Sequence, residues 1–230
     1  MFIGHYGPAV FDVLRSGKVK LWHAFLAVQA MDIVFCILAL FGLEGAASLV
    51  DGNLVFDIPW SHSFVGAIFI AFIAASIYRL SYRGERGSMR GFWIIAALAF
   101  SHWVLDLLVH RPDLPFYPGS TFMMGFGLWD YAWASYIVEV LLLGTAIAWW
   151  LAKTTGPRWT TVAAWLFVTV LCVLQFFSIT KTTLDQQAGT LDLAALPSGV
   201  PFAVSGLIFF VGAAALIGWL EGKRAIADRP

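Results

Sequence analysis

Histidine and carboxylate residues recur in this chain at spacings that can hold a metal. His102 and Asp106, in FSHWVLDLLVH, are four residues apart, so on a helix they stack on one face. Asp32 interrupts VQAMDIVFCIL, His62 stands in PWSHSF, His5 lies near the start, and Glu139 lies in SYIVEVLLLG. Imidazole nitrogens with carboxylate oxygens form a ligand set for zinc, manganese or iron, and carboxylates also offset a metal's charge in a low-dielectric site. A divalent metal held there, zinc foremost, would lower the pKa of a bound water to about 7 and supply a hydroxide nucleophile. Asp106 and Glu139 are then the candidate catalytic carboxylates, as general base or as orienting group. The His102–Asp106 pair alone is a weak signal. Joined to His5, Asp32 and His62 it is a more specific one.

These residues must be positioned by a membrane bundle. Of 230 residues 60% are hydrophobic and only 12% charged, against about 25% charged in soluble domains. With a mean hydropathy of +0.81, the solvent facing the chain is lipid. Net charge is zero, so no basic excess points to nucleic acid. Six apolar stretches, near 21–42, 60–80, 91–110, 129–151, 159–180 and 201–221, approach the roughly 20 residues that cross a bilayer. Linkers with Gly45, Gly52 and Pro59, Gly84 and Gly87, Pro112, Pro115 and Pro118, and Gly189, Pro197, Gly199 and Pro201 divide helices rather than domains. The expected fold is all-α: a polytopic membrane helix bundle forming one domain over 1–230, its motifs in 1–140 and completing helices in 141–230.

Basic residues orient the chain. Arg15, Lys18, Lys20, Arg79, Arg83, Arg86, Arg90, Lys153, Arg158, Lys223, Arg224 and Arg229 fall on one side, and only Arg111 and Lys181 on the other. That bias places both termini in the cytoplasm. Trp60, Trp129, Trp133, Trp149, Trp150 and Trp159 stand near helix ends, as interfacial anchors do. Residues 1–14 lack the basic leader and cleavage site of a signal peptide.

At about 1.5 Å of rise per residue, Asp32 and His102 both lie about 17 Å from the basic end, and Glu139 about 15 Å deep from the other. Asp106 is one turn beyond His102, and His62 enters from above. A short re-entrant helix rising from Arg15 would lift His5 about 15 Å, into the same slab. An ionisable group at that depth costs on the order of 2.5–3.5 kcal/mol on insertion scales, so each needs a partner or a task. Plainer roles suit other residues: Cys36 and Cys172 as packing groups, Ser61 and Ser63 as caps, and His23 as a solvated or interfacial side chain. For His110 an outer-surface role and ligation weigh equally.

The early FIGH, the aspartate of the first span, PWSHS, and SHWVLDLLVHRPDLP together resemble the bacterial inner-membrane metal-dependent hydrolase (YdjM-like) superfamily over about the first 140 residues. The resemblance implies a metal site of His5, Asp32, His62, His102 and Asp106. It departs at the second motif, where the superfamily commonly has H-R-G-x-T-H-S and this chain has IPWSHS. The expected function is a membrane-embedded hydrolase of a lipid-like or amphiphilic (phospho)ester in the bacterial inner membrane, with membrane lipid and a lipid-like substrate as partners. Two other readings share these residues: a permease using them as a proton or ion relay, and a non-catalytic subunit with protein partners in a membrane complex.

Overall fold

The computed structural model describes residues 1–16, 18–50, 53–82, 87–196 and 198–226. Lipid offers no partners to backbone polar groups, and the chain answers with helix nearly throughout. A 3-10 turn, Ile3–His5, opens α1 (Tyr6–Ser16), followed by α2 (Leu21–Val28) and α3 (Ala30–Leu40). Next come α4 (Phe64–Ser81), α5 (Met89–Val109) and α6 (Ala132–Lys153). α7 (Arg158–Gln175) runs through a π-helical turn, Phe176–Thr180, into α8 (Lys181–Gln187), and α9 (Gly199–Glu221) follows.

Five helical runs among the described residues are long and apolar enough to cross a bilayer: α4, α5, α6, the 30-residue run Arg158–Gln187, and α9. The pair α2 and α3 makes a sixth, bent by 54°. This is an all-α membrane bundle with the expected spans. The bend is the departure, because neither glycine nor proline stands at its break, Gln29. Ser63 caps α4 as expected, accepting from the Gly66 N–H at 3.1 Å. Arg83, Arg86 and Arg229, with Gly52, Gly84 and Pro197, lie outside the described residues, as does the side chain of Arg15.

The largest apolar core fills the half of the bundle nearest the basic loops. Tyr6, Leu21, Phe25, Leu143, Ile147, Trp150, Leu171, Ile217 and Leu220 meet there, from α1, α2, α6, α7 and α9. α1 lies against α6 closely enough that a Cβ on Gly7 would sit 3.3 Å from the Leu142 carbonyl oxygen. α9 packs on α3 at Gly206, where a Cβ would meet Cys36 Sγ at 2.8 Å. Both cysteines are free. The polar cluster sits above this apolar floor.

Short hairpins close the two ends. β1 (Ala46–Val50) pairs with β2 (Asn53–Asp57), and β3 (Leu114–Pro115) with β4 (Met123–Met124), at the end remote from the basic loops. At the basic end β5 (Thr154–Thr155) pairs with β6 (Ala225–Ile226). Trp60, Trp133, Trp149 and Trp159 are exposed, as anchors should be, but Trp129 and Trp150 are buried. Trp129 packs on His110 with ring centroids 4.2 Å apart, and Trp150 lies under the Arg224 guanidinium at 5.4 Å. Proximity to a helix end did not reveal that these two face protein.

Arg224 fastens that end. Its Nε donates to Thr154 Oγ1, Nη1 to Thr160 and Thr161 hydroxyls, and Nη2 to the Leu151 and Thr154 carbonyls at 3.3 and 2.8 Å. Those carbonyls end α6, where the helix has no further N–H to offer. Arg224→Leu is expected to cost about 1–3 kcal/mol, read as a lowered unfolding midpoint in detergent micelles.

Candidate metal centre

The centre is built on α5. One turn apart on its inward face, His102 Nε2 lies 3.0 Å from Asp106 Oδ2. His102 is oriented from the far side of its ring, where Nδ1 lies 2.6 Å from the Val28 carbonyl oxygen. Val28 is the last residue of α2, and a carbonyl there has lost its helical partner. His102 occupies the break, the kind of side-chain insertion that bends a helix. Only an N–H satisfies a carbonyl, so the proton sits on Nδ1 and the Nε2 lone pair faces the two aspartates.

His62 arrives on the loop before α4. Glu44 accepts the N–H groups of Trp60 and Ser61 at 2.6 and 2.9 Å, and Trp103 Nε1 donates to the His62 carbonyl at 3.0 Å. Ser61 does not cap α4: its hydroxyl meets His62 Nδ1 at 2.7 Å and sets the ring. His62 Nε2 then lies 3.4 Å from Asp32 Oδ1 and 3.6 Å from Asp106 Oδ2. Asp32, from the first turn of α3, is also 3.6 Å from His102 Nε2.

His5 enters from the N-terminal segment, as the re-entrant reading requires. Its ring stacks on His102 at 3.6 Å, 6° from parallel, and its Nε2 lies 3.2 Å from Asp106 Oδ1. The Met1 ammonium contacts the same oxygen. Glu139 holds this turn from α6. Its Oε2 accepts the N–H groups of Phe2 and Gly4 at 2.7 and 3.2 Å, and its Oε1 accepts from Gln175 Nε2 at 2.8 Å. Both oxygens are engaged outside the cluster.

His110, at the end of α5, is buried rather than at the outer surface. Its Nδ1 is 2.9 Å from Asp113 Oδ1, and its Nε2 is 3.9 Å from Asp106 Oδ1. Arg111 beside it pairs with Asp130 at 2.7 Å. The following loop closes so tightly that a Cβ on Gly125, at φ +150°, would sit 2.0 Å from the Arg111 carbonyl oxygen. His23 stays apart, near the basic end and 2.5 Å from the Tyr82 hydroxyl; of its two expected roles, solvated or interfacial, its burial excludes the first.

Two overlapping sets, His5–Asp32–His102 and His62–His102–Asp106, each bring their donor atoms within 4.8 Å of one another. Donors about 2.0–2.1 Å from a tetrahedral ion stand roughly 3.4 Å apart. Within these sets the His62–Asp106, His102–Asp32 and His102–Asp106 separations of 3.6, 3.6 and 3.0 Å lie close to that value. Buried polar atoms normally have partners, yet both His5 nitrogens and His102 Nε2 make no hydrogen bond among the described residues. This cluster could hold a metal ion. Asp32 is its open side, with 19% of its side chain exposed against 0–6% for the histidines and 2% for Asp106.

The residues overlooked in sequence were Glu44, Trp103 and Asp113, and Gln175, though a polar residue in an apolar run, had been given no role. Of the overlooked three, Asp113 alone carried a signal, three residues after His110; the others depend on long-range packing. Set against protein-family models, curated proteins and solved structures, the chain matches none of them.

If Glu139 is what holds the N-terminal turn, Glu139→Ala frees His5. Diethylpyrocarbonate labelling read by mass spectrometry is expected to modify His5 at least tenfold faster in the variant than in the parent.

Proposed function

We propose that this protein is a membrane-embedded, metal-dependent hydrolase of a lipid-like phosphoester. The observation that carries the reading is the bare, oriented His102 Nε2, aimed with His5 and His62 at Asp32 and Asp106. Two carboxylates, Asp32 and Asp106, supply the negative charge that a divalent ion needs in a low-dielectric site. Zinc suits mixed nitrogen and oxygen donors, with manganese or iron also compatible. His5, Asp32, His62, His102 and Asp106 would hold it. When bound, the ion supplies Lewis acidity and activates water near neutral pH.

The chain's own residues do the rest. Val28 and Ser61 hold the His102 and His62 rings, and Glu139 holds the turn that carries His5. The exposed edge of Asp32 lets substrate approach at membrane depth, which suits a molecule already in the bilayer. The resemblance to the YdjM-like superfamily supports this function, and the distribution of basic residues supports an inner-membrane topology with cytoplasmic termini.

A second reading rests on the 54° break at Gln29, since discontinuous spans commonly form ion sites in transporters. Elemental analysis of purified protein separates the two. Hydrolysis predicts about one equivalent of metal, lost at least tenfold in His102→Ala and Asp106→Ala together with phosphoesterase activity. Metal-free parent protein with undiminished activity refutes it. Substrate flux into liposomes without hydrolysed product supports the relay instead.

A further inference from the structure

The connection between α5 and α6 has an unusual composition for a loop. Between Asp113 and Asp130 the chain reads LPFYPGSTFMMGFGLW, without a single charged residue. Its large side chains are not turned inward, since Phe116, Tyr117, Phe122, Met123 and Phe126 are 40–73% exposed. Phe116 also meets both Tyr117 and Phe122, with ring centroids 6.3 and 6.5 Å apart. Scattered exposed apolar groups are ordinary, whereas a contiguous group marks a surface that something apolar covers.

The backbone of this loop gives a second, independent indication. A loop in water can leave its N–H groups to the solvent, but one in lipid must satisfy them internally. Here the N–H of Phe116 donates to the Phe122 carbonyl at 3.1 Å, that of Ser120 to the Tyr117 carbonyl at 2.9 Å, and that of Phe122 to Ser120 Oγ at 3.0 Å. Further on, Phe126 donates to the Leu107 carbonyl at 2.8 Å and Gly127 to the His110 carbonyl at 2.7 Å, which fastens the loop to the end of α5. Pro115 and Pro118 have no N–H to satisfy. β3 and β4 pair with one another, and the Phe116 carbonyl accepts the Val65 N–H at 3.0 Å, so the loop is also tied to the first turn of α4.

Those ties fix its level. The loop stands at the ends of two spans, α4 and α5, beside the exposed Trp60, Tyr131 and Trp133. Exposed indole and phenol rings at helix ends mark the boundary between headgroups and acyl chains. We infer that the loop from Leu114 to Leu128 is an interfacial anchor, with Phe116, Phe122, Met123 and Phe126 inserted among the upper acyl chains of the leaflet remote from the basic loops. A protein partner would be expected to meet a polar, charged rim, and this loop has no charge with which to supply one. The connection after α8, at the same end of the bundle, is different: it carries Asp185 and Asp192 and belongs in water.

Nitroxide labels placed through Phe122→Cys and Phe126→Cys, each in a chain with Cys36→Ala and Cys172→Ala, test this in phosphatidylcholine vesicles. Electron paramagnetic resonance reads their collisions with oxygen, which concentrates in lipid, and with a nickel chelate, which stays in water. The oxygen-to-nickel accessibility ratio at both positions is expected to be at least tenfold above that of a label at Ala188→Cys, an exposed position just beyond α8. A ratio equal to that of Ala188→Cys places the loop in water and overturns the assignment. Protection from both reagents also overturns it, because the surface is then covered by a second copy of the chain. The two positions report separately, so a loss of helix content in one variant leaves the other to decide.

Discussion

Asp106 is a carboxylate withdrawn almost completely from solvent at membrane depth, and much of the architecture converges on it. Its Oδ1 faces His5, His110 and the Met1 ammonium, and its Oδ2 faces His102 and His62. An isolated charge there would be expelled or neutralised. The surrounding groups come from the N-terminal turn, the loop before α4, and both ends of one stretch of α5. Three separate elements carry them to the same point.

Those carriers are themselves anchored by buried polar contacts. Glu139 gathers the N-terminal turn onto α6 and is braced by Gln175 from α7; Glu44 and Trp103 hold the His62 loop; the end of α2 supplies a carbonyl to His102. Beneath them the apolar core fills the basic half of the bundle, and Arg224 ties α6, α7 and the segment after α9 together. A dry, packed floor keeps water from the site from below, which strengthens every electrostatic contact above it.

The result is a cluster closed on most sides and open at Asp32.

The sequence by itself determined the class of the molecule and most of the cluster. Composition and run length announce a membrane bundle, because lipid permits few alternatives. The ionisable residues within apolar runs identify Asp32, His102 and Asp106 at one depth, because helical rise is constant. Only the tertiary structure decided which side chains meet. Gln29 shows no breaker, yet the span bends there as His102 takes the Val28 carbonyl. Trp129 and Trp150 have anchor-like positions, yet face His110 and Arg224. Glu139 shares the depth of the cluster, yet its oxygens are spent on Phe2, Gly4 and Gln175. Depth follows from one-dimensional spacing, whereas azimuth around each helix and the path of each loop are set by long-range packing that no local pattern encodes.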